Sequence, residues 1–124
     1  MDLFFAFVYA AGSVVCHQLP ERSFLLDGRQ LPVCARCTGL YLSGAAGVLG
    51  WCVWKAALGW RRFAVPHRAA LTIMIGAAVP TALSYFAGVA GIWDGTNLTR
   101  ALFAVPLGLS AGAMVAAVAT KDLR

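Results

Sequence analysis

Ala69 to Trp93 is a run of 25 residues without one charged side chain, and Leu98 to Thr120 is a run of 23 interrupted only by Arg100. A membrane-spanning helix needs about 20 predominantly apolar residues, so these two stretches constrain the fold more than anything else in the chain. Two further apolar stretches precede them. Leu3 to Leu19 is marginal in length and ends in Cys16-His17-Gln18 ahead of Pro20; Val33 to Trp54 follows Pro32, placed where proline suits a helix start. A soluble domain carries about 25% charged residues, whereas this chain has 12% against 60% hydrophobic. A chain this small has too little interior to hide that many apolar side chains from water.

The expected fold is therefore all-α, a single membrane domain over residues 1–124. Four transmembrane helices are predicted at about 3–19, 33–54, 69–93 and 98–120. A polar loop at 20–32, turning at Asp27-Gly28, joins the first two, and a basic amphipathic connector at 55–68 joins the second and third. The N-terminus, Met1-Asp2-Leu3, carries an acid and no base, so the first stretch reads as a retained segment and not as a signal peptide. Small residues recur every fourth position: Gly39, Ser43 and Gly47; Thr72, Gly76, Pro80, Ser84 and Gly88; Ala104, Gly108, Gly112 and Ala116. Helices in lipid associate by close backbone approach across such faces, which predicts a compact bundle. Pro80 and Pro106 read as packing kinks.

The net charge of +5 does not point to nucleic acid, because the basic residues do not form one face or stripe. Lys55, Arg61, Arg62, Arg68, Lys121 and Arg124 fall at one membrane face and Arg22, Arg29, Arg36 and Arg100 at the other. Six against four places both termini in the cytoplasm and the Cys16 and Cys34 end outside. The expected partners are the lipid bilayer and a second copy or another membrane protein.

The chemistry is concentrated at that outer end. Cys34 and Cys37 are one helical turn apart and share a face at the predicted start of the second helix. A helix N-terminus and the nearby Arg36 favour thiolate, the form that binds metal or attacks a disulfide. Cys16 and His17 close the first stretch on the same side. Together Cys16, His17, Cys34 and Cys37 form a candidate Cys₃His set for zinc or another transition metal. Redox-active thiols and a structural disulfide are the competing readings. Cys52 lies about 22 Å along the second helix from Cys37, too far to join them. His67 reads as a solvated residue of the connector.

Asn97 is predicted to cap the fourth helix, which puts Arg100 in a first turn where the helix dipole repels a cation. Asp94 is the plain compensating partner, and Glu21, Asp27 and Asp94 together can pair with three of Arg22, Arg29, Arg36 and Arg100. The alternative is that Arg22, Arg29, Arg36 and Arg100 gather around an anionic ligand or lipid headgroup, with Asp94 and Asn97 in support. No P-loop, dinucleotide fingerprint or hydrolase motif is present.

Cys16-His17-Gln18, Arg22-Ser23, and Cys34-Ala35-Arg36-Cys37-Thr38-Gly39 with Tyr41 and Gly44 form a signature, with Asn97 and Arg100 in a weaker later part. It resembles a prokaryotic family of small predicted integral membrane proteins of unknown function. The resemblance implies an integral membrane protein and transfers no activity; the expected location is the cytoplasmic (inner) membrane, crossed by several helices. The residues themselves carry a first reading, a metal-binding membrane protein. The alternative is a membrane thiol–disulfide oxidoreductase using Cys34 and Cys37 with Cys16 resolving and a quinone taking electrons. A channel or transporter subunit is the third.

Overall fold

The computed structural model describes residues 2–124; Met1, named above in the retained N-terminal stretch, lies outside them. In chain order these are helix α1 (Asp2–Val15), a single 3-10 turn (Pro20–Arg22), strands β1 (Ser23–Leu26) and β2 (Arg29–Cys34), and helices α2 (Ala35–Ala57), α3 (His67–Val89) and α4 (Asn97–Ala119).

The last three helices have 23 residues each and are long and apolar enough to cross a membrane. Each rises about 35 Å, against a hydrocarbon core of about 30 Å. Their outward faces carry exposed Leu42, Leu49, Ile73, Leu83, Leu102 and Val115. Such surfaces are stable only where the surrounding medium is itself apolar.

α4 is the centre of the bundle, with α2 and α3 packed on it. The α2–α4 seam is made of the small residues anticipated there: a Cβ added at Gly39 would run into the Ala101 carbonyl, at Gly47 into the Leu109 carbonyl, and at Gly112 into the Gly44 carbonyl. Ser43, buried in the same seam, donates to the Gly39 carbonyl at 2.6 Å and so leaves no free hydroxyl against α4. The third stripe behaves differently. Gly76 meets nothing within 4 Å, so this part of α3 is not a close-packed seam. Pro80 and Pro106 sit inside helices that continue past them.

Several expectations are corrected. The all-α expectation misses an antiparallel hairpin inside the 20–32 loop, pairing Leu26 with Arg29, Leu25 with Gln30 and Ser23 with Cys34. Asp27 and Gly28 both have positive φ, 50° and 75°, the geometry that closes a two-residue hairpin. The apolar residues flanking that turn pair because the turn aligns them. The first helix ends at Val15, not Leu19, and Gln18 is in the left-handed region at φ 48°. Its 14 residues rise about 21 Å, which is short of a full span. The second helix begins at Ala35 and not at 33, because Cys34 is still extended as the last residue of β2. The third runs 67–89 and ends ahead of Gly91, φ 69°. The fourth is capped by Thr96, whose hydroxyl accepts the Thr99 N–H at 3.3 Å, and not by Asn97.

At the far end the C-terminal tail is tied onto the connector, and Arg61, Arg62, Arg68, Lys121 and Arg124 stay exposed around a buried ion pair. Lys55 and Asp122 are 2% and 0% exposed and paired at 2.7 Å. Lys55 also donates to the Arg61 carbonyl at 2.7 Å, and Asp122 accepts the Phe63 N–H at 3.0 Å and the Thr120 hydroxyl. The tail is further held by Val65 N–H on the Asp122 carbonyl and His67 N–H on the Arg124 carbonyl. Lys55 and Thr120 hold the Asp122 carboxyl down at about 2, against the opposing effect of burial.

Candidate metal centre

Three elements meet at the other end of the bundle. Cys16 follows α1, Cys34 ends β2, and Cys37 lies in the first turn of α2. The three Sγ atoms lie within 4.8 Å of one another, and Cys34 Sγ and Cys37 Sγ are 3.4 Å apart. A tetrahedral ion with Zn–S bonds of about 2.3 Å holds its sulfurs about 3.8 Å apart, so this donor set fits such an ion. All four cysteines are unbridged, and Cys52 is well along α2 and outside the cluster.

The hairpin explains the convergence. Cys34 is carried to the mouth by pairing with Ser23, and its N–H donates to Cys16 Sγ at 3.2 Å. Burial works against ionisation of Cys16, but the N–H groups of Gln18 and Cys34, together with the neighbouring thiols, bring it below its ordinary value. The Cys34 carbonyl in turn receives the Thr38 hydroxyl at 3.1 Å.

A scaffold of amides secures the loop. Gln18 donates to the carbonyls of Tyr9 (2.8 Å) and Pro32 (2.7 Å), and Gln30 donates to the Gln18 carbonyl at 2.8 Å. The Tyr9 hydroxyl returns to the Gln30 carbonyl. Buried Ser23 donates to the Leu19 carbonyl, and its own carbonyl accepts the Asn97 amide at 3.2 Å, tying the hairpin to α4. Gln18 and Ser23 stand in the motif, which is the signal by which a sequence reading finds them. Tyr9, Gln30 and Ser84 carry no such signal.

His17 is exposed and stands outside the thiol cluster, although it lines the same cavity. That cavity has a volume of about 420 Å³ and reaches from the three thiols to Arg22, Arg36 and Arg100. Arg100 is buried and paired: its guanidinium donates to the Asp94 carboxylate, to the Asp94 carbonyl at 3.1 Å and to Asn97 Oδ1 at 3.2 Å. Asp94 thus has the compensating place anticipated for it, and Asn97 acts as a brace. Arg36 donates to the Ser84 hydroxyl (3.3 Å) and carbonyl (3.1 Å) and lies over the Tyr85 ring, linking α2 to α3. Arg29 is placed over Phe5, 5.7 Å from the ring centre, and does not line the cavity. Among the described residues, Arg22, Arg29 and Arg36 have no carboxylate partner, so Glu21 and Asp27 do not neutralise them.

The family described as "Predicted membrane protein (DUF2085)" matches residues 16–114. An uncharacterized protein of Methanothermobacter thermautotrophicus is 31% identical over 113 residues, covering 89% of this chain and 87% of that one. An uncharacterized protein of Methanocaldococcus jannaschii is 45% identical over 42 residues, 34% of this chain; the match spans only 27% of that relative's length. No solved structure matches the chain.

Proposed function

The chain belongs to the DUF2085 family of predicted membrane proteins, and on that premise we propose that it is a metal-binding protein of the prokaryotic cytoplasmic membrane. The observation that carries this is the meeting of Cys16, Cys34 and Cys37 sulfurs within 4.8 Å, contributed by three separate elements. Thiolates at that spacing suit zinc or a similar soft to borderline transition metal. His17, exposed on the rim of the same cavity, is the residue that would supply the fourth ligand of a Cys₃His set. A metal held there supplies a cross-link among the loop after α1, the hairpin and α2. The chain's own contribution is to hold the sulfurs in place through Gln18, Gln30 and Ser23.

In this reading the thiol mouth faces outward and both termini face the cytoplasm. α2, α3 and α4 cross fully, and the shorter α1 makes a fourth crossing by local thinning of the bilayer. Its exposed Leu3, Phe4, Phe7 and Val14 require lipid whatever its depth.

The experiment is metal analysis of protein purified without chelator, beside a Cys34→Ser/Cys37→Ser variant. Near-stoichiometric metal in the wild type, lost in the variant, supports the proposal. One observation favours a second reading: Cys34 and Cys37 sulfurs 3.4 Å apart, with Cys16 in reach, also suit thiol–disulfide exchange. A metal-free wild type whose thiols cycle between alkylatable and protected states assigns the site to that oxidoreductase chemistry, with a quinone as the electron acceptor.

A further inference from the structure

We infer that the cavity beside the thiol cluster is a binding site for a phosphate-bearing anion, gripped by Arg22 and Arg36 over the buried Arg100. This deepens the metal-site reading by naming a ligand class for the same mouth, but it rests on the arginines and not on the metal. The cavity of about 420 Å³ is large enough for a phosphate with part of its ester group. Arg22 and Arg36 line it without a carboxylate partner, and Arg36 is oriented there by neutral groups only, Ser84 and Tyr85. The positive field is reinforced by the start of α2, whose first turn has no capping side chain.

The thiols do not account for this charge. Among the described residues, Arg22 and Arg36 have no carboxylate partner to compensate them. With a divalent ion on three thiolates the centre carries one net negative charge. The Arg100–Asp94 pair cancels itself, so Arg22 and Arg36 still leave the cavity positive. Guanidinium groups match phosphate oxygens in paired hydrogen bonds: Arg22 has no side-chain partner among the described residues, and Arg36, held on Ser84 through Nε and Nη2, has Nη1 left to offer a ligand. The cavity opens at the end of the bundle where α2 and α4 begin, the level at which lipid phosphates lie. A lipid headgroup and a free phosphate ester share this chemistry.

The test uses the full chain in uncharged maltoside detergent, titrated with phosphatidylglycerol and, separately, with inorganic phosphate. Bound lipid is read by native mass spectrometry and phosphate by calorimetry, and metal content is measured on the same samples. Saturable binding is expected for wild type, weakened about tenfold or more in Arg22→Gln/Arg36→Gln, with metal content and thermal midpoint retained. Lipid binding without phosphate binding assigns a headgroup; phosphate binding assigns a free phosphate. Binding of neither probe by well-folded wild type overturns the site, as does a double variant weakened less than twofold. An Arg22→Gln single variant, exposed and free of structural partners, covers the case in which Arg36→Gln disturbs packing: loss of affinity there supports the site and unchanged affinity counts against it. Metal-free protein that binds the lipid refutes only the metal reading, and metal-loaded protein that binds neither probe refutes only this one.

Discussion

Asp122 and Cys16 show how differently two side chains of the same chain declare themselves. Cys16 is chemically conspicuous and its partners are found by spacing; Asp122 looks like part of a charged tail, yet it is fully buried against Lys55. Breaking a buried pair leaves an uncompensated charge, so Lys55→Met is expected to lower the thermal midpoint by roughly 5 °C or more. Differential scanning fluorimetry in detergent checks this. The same pair gives a pH signature. Because the folded Asp122 carboxyl is held at about 2, below its ordinary 3.8, its contribution is complete above about pH 4 and is lost as pH falls through about 2. Asp122→Asn is expected to remove that part of the acid destabilisation; a variant whose acid melting curve keeps the wild-type shape would show that another group carries it. At the mouth, the thiols, Arg100 and its partner Asp94 were legible because each breaks a local rule of a membrane helix. The seating of Arg36 on Ser84 was not, since nothing in the sequence links residues 48 positions apart.

Among the elements, the α2–α4 seam was visible as spacing, and the α3 stripe, equally regular, is not a seam at Gly76. The difference is whether a partner backbone lies against it: Gly112 faces the Gly44 carbonyl, and Gly76 faces open space. Gly112→Ala is accordingly expected to cost about 1–3 kcal/mol by overpacking. Gly76→Ala is expected to be neutral or slightly stabilising, since alanine is the better helix former. Comparing the two in denaturant unfolding decides the matter, and equal losses would mean that α3 is packed tightly too. The hairpin is the element that sequence reading missed. Gly28, φ 75°, holds its turn, and Gly28→Val is expected to loosen Cys34 from Cys16. On the metal reading its metal content falls while the helices persist by circular dichroism.

For the molecule as a whole, the three long helices bring the Cys16, Cys34 and Cys37 mouth to one end and the Lys55–Asp122 pair to the other. An impermeant thiol reagent applied to intact cells is expected to reach the mouth, and thiols reactive only after lysis would reverse the proposed orientation. Composition and the lengths of uncharged runs alone decided that this chain belongs in a bilayer, where its long helices lie within a few residues, and which cysteines share an end. These follow from local physics, the cost of charge and open backbone in hydrocarbon. Only the folded chain decided that the 20–32 loop is a hairpin, that three thiols converge while His17 stays on the rim, that Arg22 and Arg36 line the cavity without acids, and that Lys55 is buried. Each of those depends on which segments lie side by side, and pairing across distant positions is set by the packing of whole elements and not by any stretch read alone.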